Sequence, residues 1–105
     1  MLFARKRKDL NEGMKEFEST PGAVLVDVRT PGEYAKAHIP GSINLPIHKM
    51  KSAPRLIPSK ETPIFLYCVS GARADQGAGR LRRMGYRDVR SIGGLTGYRG
   101  SVEKG

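Results

Sequence analysis

Two short apolar runs, at residues 23–28 and 64–67, constrain this chain more than any other feature of its sequence. Each is too short to be a helix with a buried stripe, and neither alternates apolar with polar as a strand with one wet face does. Runs of this kind are strands covered on both faces, the pattern of a parallel sheet. Helical signals fall between and around them. Asp9 followed by Glu12 has the form of a capping box, with Leu10, Met14 and Phe17 at helical spacing behind it and Pro21-Gly22 as the break. Thr30, Pro31 and Glu33 suit the cap, first and third positions of a second helix, kept short by Ile39-Pro40-Gly41.

The rest of the chain continues the alternation. Residues 42–45 read as a brief strand, and residues 46–60, with Pro46, Pro54 and Pro58, read as irregular with room for one helical turn. A helix runs from about residue 73 to Met84, with Ala74, Ala78, Leu81 and Met84 on its apolar face and Gly85 to stop it. Gly77 and Gly79 each weaken that helix by about 1 kcal/mol relative to alanine, so both predict close packing against it. Residues 88–92 are a last strand, Gly93-Gly94 follow, and residues 96–99 read as a final helical segment. Alternating strands and helices predict one α/β domain over residues 1–105, a mostly parallel open sheet with helices on both faces. A chain of this length buries roughly two-thirds of its unfolded surface and needs no disulfide or metal to fold.

In open parallel sheets, ligands sit outside the carboxyl ends of the strands, and Cys68, the chain's single cysteine, follows the second apolar run directly. The loop after it, Val69-Ser70-Gly71-Ala72, is small and uncharged, and Arg73 opens a helix. Such a loop can curl its N–H groups inward as an anion-binding nest, and the helix adds its positive end. Both favour a thiolate over a thiol. A lone cysteine is more often a small buried hydrophobe, but this setting predicts a reactive one.

Composition limits the alternatives. A free thiol suits a reducing compartment, and no stretch approaches a membrane span, so a soluble cytoplasmic protein is expected. The N-terminus has a signal peptide's charge but no apolar segment behind it. Lysine plus arginine outnumber aspartate plus glutamate 19 to 10, a formal charge of +9, with the excess at residues 5–8 and at Arg80, Arg82, Arg83, Arg87 and Arg90. The plainest reading is a solvated face; small anions or an acidic protein partner come next. Aromatic residues do not interleave these arginines, which argues against nucleic acid. The two histidines and one cysteine lack metal-ligand spacing, so neither metal nor cofactor is expected.

Three motifs in register resemble the rhodanese homology family. Asp27-Val-Arg29, Glu33-Tyr34, His38-Ile-Pro-Gly41 and Ile43-Asn-Leu-Pro46 are similar to its entry motif. Tyr67-Cys-Val-Ser-Gly-Ala-Arg-Ala74 resembles its active-site loop, and Gly85-Tyr86, Val89 and Gly93-Gly94 its closing segment. Together they span about residues 22–98. The resemblance implies a sulfurtransferase or persulfide carrier: Cys68 accepts a sulfane sulfur, the backbone of Val69, Ser70, Gly71, Ala72, Arg73 and Ala74 cradles it, and a nucleophile removes it. Cysteine phosphatases and arsenate reductases on similar folds place five residues between cysteine and arginine, and here there are four, which favours sulfur. A non-catalytic rhodanese module used for binding is the other alternative, although such modules typically lack the cysteine.

Supporting roles are expected for four residues. Asp27 should be anchored by backbone or by Arg29; Arg29 should also meet Glu33; His38 should bond helix-end carbonyls rather than serve as a base. His48 has no such setting. Arg73 is read as holding the loop more than attracting the donor, and Ser70 either donates to a bound anion or only tolerates the turn. Tyr98 stands where many relatives have tryptophan, a change of packing. With Val69, Ser70 and Ala72 uncharged, the expected donor is a small anionic one such as thiosulfate or, better, a protein persulfide. The acceptor is an external thiol, thioredoxin-like or small, since no second cysteine is present. A monomer is the default expectation.

Overall fold

The two apolar runs are the central strands of the sheet. In the computed structural model, which describes residues 8–105, β1 (Val24–Asp27) lies parallel to β3 (Ile64–Cys68), with Val24 opposite Ile64 and Asp27 opposite Tyr67. β2 (Ile43–Asn44) extends the β1 edge and β4 (Val89–Gly94) the β3 edge, giving the order β2-β1-β3-β4 with every pair parallel. Of the basic cluster at residues 5–8, only Lys8 lies within the described residues, and the N-terminal segment read for targeting lies outside them.

Side-chain alternation along the strands divides the core in two. Val26, Ile64, Leu66 and Cys68 face one layer, made by the 3₁₀ segment Ile47–Ser52, α3 (Ala53–Leu56) and α4 (Ala72–Arg83). Leu25, Phe65 and Tyr67 face the other, where α1 (Leu10–Glu18) brings Leu10 and Met14, and Phe17 meets Phe65 edge-on at 5.5 Å. Tyr98 packs at the margin of this second layer. Helices therefore cover both faces, as the sequence implied. Among the described residues, no helix is long and apolar enough to cross a membrane.

Local expectations fared unevenly. The cap of α2 (Pro31–Lys36) is a full capping box: Thr30 accepts from the Glu33 amide and Glu33 accepts from the Thr30 amide. At α1 the box is only half formed. Asp9 accepts from the Asn11 amide at 2.9 Å, while Glu12 turns away to Lys15. Residues 46–60 carry more helix than expected, because Pro54 falls in the first turn of α3, where a missing N–H costs nothing. The helical segment expected at residues 96–99 is instead a turn, with Gly97 at φ +83°. The last strand runs on through Gly94 rather than ending at residue 92.

The two glycines of α4 differ in kind. A Cβ on Gly77 would stand 3.2 Å from Met50 and 3.4 Å from Ile47, so this glycine does admit the 3₁₀ segment against the helix. At Gly79 a Cβ would meet only the Arg83 guanidinium at 3.5 Å, and the expectation of tight packing fails there. Gly79→Ala should accordingly raise stability by up to about 1 kcal/mol. Thermal melting checks this; a lower melting temperature would show a packing restraint at that position.

Candidate active site

The sheet order places a crevice at a defined point. The chain leaves β1 for β2 on one side and later enters β3 on the other, so connections diverge between the carboxyl ends of β1 and β3. Cys68 is the last residue of β3 and Asp27 the last of β1.

The loop after Cys68 is held by the end of β4. The Leu95 amide donates to the Cys68 carbonyl at 2.9 Å, and the Thr96 amide to the Val69 carbonyl at 3.1 Å. Such closeness requires glycine. A Cβ on Gly94 would sit 2.1 Å from the Val69 carbonyl oxygen, and one on Gly71, itself at φ +102°, would sit 3.4 Å from the Gly93 α-carbon. The sequence marked the Gly93-Gly94 pair only as a closing motif; its part in seating the loop depends on contacts between residues about 25 apart, which composition does not reveal.

Gly71 is also the residue before α4 and has no side chain to cap the helix. The sulfur takes that place. The Gly71 amide points at Cys68 Sγ at 2.9 Å and the Ala74 amide at 3.4 Å, while the residue is only 1% exposed. The amides of Ala72 and Arg73, also in the first turn, have no acceptor among the described residues. Negative charge on the sulfur, or on an atom bonded to it, therefore faces convergent N–H donors and the positive end of a helix. Val69 and Ser70 form the exposed rim of the loop.

Arg73 is already paired with a carboxylate. Its guanidinium grips Glu33 with two bonds, at 2.7 and 3.1 Å, tying the start of α4 to the start of α2. The loop-holding role was expected; the partner was not. Arg29, expected to meet Glu33, instead turns inward onto Asp27. The Arg73 hydrogen bonds, helped by the Thr30 amide, hold the Glu33 carboxyl down at about 2 against an ordinary value near 4.5. A depressed carboxylate contributes stability above its unfolded value and loses it as pH falls through the folded one. The side chain is a third exposed, so screening limits the effect to about 1 kcal/mol. Acid titration from pH 5 to pH 2 should destabilise the parent more steeply than Glu33→Gln, as urea melts at several pH values will test; parallel curves would refute the linkage.

Beneath the loop lies a buried ion pair. Asp27 is fully buried and accepts from the Arg29 amide at 2.9 Å and from its guanidinium at 2.7–3.1 Å. The Arg29 guanidinium also donates to the Ala37 carbonyl, closing the end of α2. Asn44, which sequence reasoning passed over, bonds the carbonyls of both Asp27 and Arg29 at 3.1 and 2.9 Å. Tyr67, at the same strand ends, accepts from the Ile39 amide and meets the Ser42 hydroxyl, and burial pushes its phenol up.

His38 bonds a carbonyl of α2. Its Nδ1 donates to the Tyr34 carbonyl at 2.9 Å, its ring stacks on Tyr34 at 3.8 Å, and Nε2 faces Glu103 at 3.3 Å. The Glu103 contact, reinforced by paired backbone bonds, was not foreseen. Both ring nitrogens are engaged away from Cys68.

A parallel sheet of this order, with a cysteine held in the N–H ring of the following helix, defines a class, and comparison with known proteins agrees. Residues 7–101 match the model of the rhodanese-like domain, and the chain belongs to that family. It is 35% identical over 71 residues to the thiosulfate sulfurtransferase PspE of Escherichia coli, covering 67% of this chain and 68% of PspE. It is 39% identical over 80 residues to a sulfurtransferase of Allochromatium vinosum, covering 75% and 74% of the two chains. Among solved structures, an E. coli rhodanese with anions superposes with a TM-score of 0.73 at 32% identity, over 79% of this chain and 99% of that one. Other relatives are much longer: the chain spans 25% of the adenylyltransferase and sulfurtransferase uba4 of Ogataea parapolymorpha and 18% of a tRNA sulfurtransferase of Desulfurococcus amylolyticus. The protein is thus a rhodanese-like domain homologous to sulfurtransferases.

Proposed function

We propose that this domain is a sulfurtransferase that carries sulfane sulfur as a persulfide on Cys68. The observation that carries the reading is the pair of backbone amides, from Gly71 and Ala74, aimed at Sγ from the start of α4. The Cys68 thiolate attacks the outer sulfur of the donor, forming a new S–S bond as the donor's own S–S bond breaks. With thiosulfate, sulfite leaves with the electron pair and the negative charge moves to the terminal persulfide sulfur. The amides of Ala72 and Arg73 supply donors for that charge. An acceptor thiolate then attacks the terminal sulfur and releases Cys68 as thiolate. These 105 residues hold one cysteine, so the acceptor thiol lies outside them.

The donor is more narrowly drawn by Arg73. With its two terminal nitrogens on Glu33 and no other cationic side chain in the loop, the loop's one positive charge is already paired with a carboxylate where the sulfonate end of thiosulfate would approach. A persulfide on a protein or small thiol, which carries less charge, suits this site better. Intact mass spectrometry after incubation and desalting tests both steps. The expected result is a gain of one sulfur atom from glutathione persulfide, a smaller gain from thiosulfate, and reversal by cyanide. No gain from either donor would refute the carrier reading in favour of a binding module.

A further inference from the structure

Away from Cys68, a groove of about 440 Å³ opens between the 3₁₀ segment and the far end of α4, lined by His48, Met50, Lys51, Arg80, Arg83 and Met84. Four of these six side chains are basic and the other two are thioethers. The charge is unopposed for a reason visible in the sequence: residues 34–60 and 76–87, which contain both walls, hold no aspartate or glutamate. Eight of the ten acidic residues pair with bases elsewhere, and Asp9 and Glu18 stand at the ends of α1, on the opposite face of the sheet. Much of the other basic excess is structurally occupied. Arg90 bridges Asp88 and Glu16, Arg82 bonds the Val89 carbonyl, and Arg87 meets Glu61. Lys51 and Arg83 are exposed and have no carboxylate partner among the described residues.

We propose that this groove docks an acidic segment of a partner protein, with carboxylates on Lys51, Arg80 and Arg83 and an apolar side chain laid against the half-buried Met84, over a floor formed by Met50. Charge complementarity selects the acidic partner. Met84 selects a peptide over a nucleic acid: its flexible thioether moulds to an aliphatic side chain, and the groove offers no aromatic surface for a base. Arg80 also donates to the Ile47 carbonyl at 2.8 Å, which fixes one wall. From Ala74, beside the sulfur, to Met84 the helix rises about 15 Å. A docked partner could span that with about five extended residues and bring a cysteine to the loop. The docking itself does not depend on persulfide chemistry.

Fluorescence anisotropy at low salt with a labelled peptide of glutamates and leucines at helical spacing tests the groove. Lys51→Glu with Arg83→Glu should weaken binding about tenfold or more. Lys36→Glu with Arg99→Glu, the same charge change on other exposed sites, should weaken it less than about threefold. Replacing the peptide's leucines by serine should cost at least about fivefold. The proposal is overturned if the two charge-reversed variants lose affinity equally, if the serine peptide binds as well, or if an oligouridine of equal charge displaces the peptide at lower concentration. Turnover of thiosulfate with cyanide should be within about twofold of the parent in the Lys51/Arg83 variant, which also reports that it is folded.

Discussion

Cys68→Ser is expected to take up no sulfur from any donor, with transfer reduced at least about a thousandfold, while the fold survives nearly unchanged. The loss follows from chemistry: a serine hydroxyl is far less acidic than a thiol and forms no persulfide. Survival of the fold follows from the site. The side chain is buried at the junction of β3 and α4, where the Gly71 and Ala74 amides already converge. A hydroxyl oxygen accepts from these donors, although the shorter C–O bond lengthens both contacts, so the cost should stay within about 1–2 kcal/mol. Thermal melting and sulfur-transfer turnover on one preparation decide it. Sulfur uptake by the serine variant would remove Cys68 from the mechanism altogether.

What the sequence revealed and what it hid divide along one physical line. Features decided by neighbours in the chain were legible: the central strands from nearly continuous apolar runs, the Thr30–Glu33 capping box, and the placement of Cys68 between strand and helix. Features decided by residues brought together from afar were not. Arg29 took Asp27, two residues away and one of the anchors expected for that carboxylate, which left Glu33 to a distant partner. Glu33 lies across the crevice from Arg73, 40 residues later. The same holds for Gly94 against Val69 and for Glu103 against His38. Residues 96–99 show the converse failure. Their composition permits a helix, but the turn at Gly97 and the bonds from Leu95 and Thr96 to the Cys68 loop settle the backbone otherwise.

The second large effect is expected at Asp27. Asp27→Ala leaves the Arg29 guanidinium, 7% exposed, with the Ala37 carbonyl and no counter-charge, and should cost about 3–5 kcal/mol. For a domain of this size, that lowers the melting temperature by more than about 10 °C. Asp27→Asn keeps the shape and an acceptor for the Arg29 amide but not the charge, and should fall between parent and alanine. The informative variant is the double, Asp27→Leu with Arg29→Met. Removing both charges also removes both desolvation penalties, so the double should be more stable than Asp27→Ala alone. Stability and function should then separate. The pair positions α2 through the Ala37 carbonyl, and α2 in turn presents Glu33 to Arg73 and so steadies the start of α4, where the sulfur is held. The double variant should therefore melt close to the parent yet transfer sulfur about tenfold more slowly, because the N–H ring is less firmly placed. Full activity in a stable double would show that the Glu33–Arg73 clamp seats the loop without help from the buried pair.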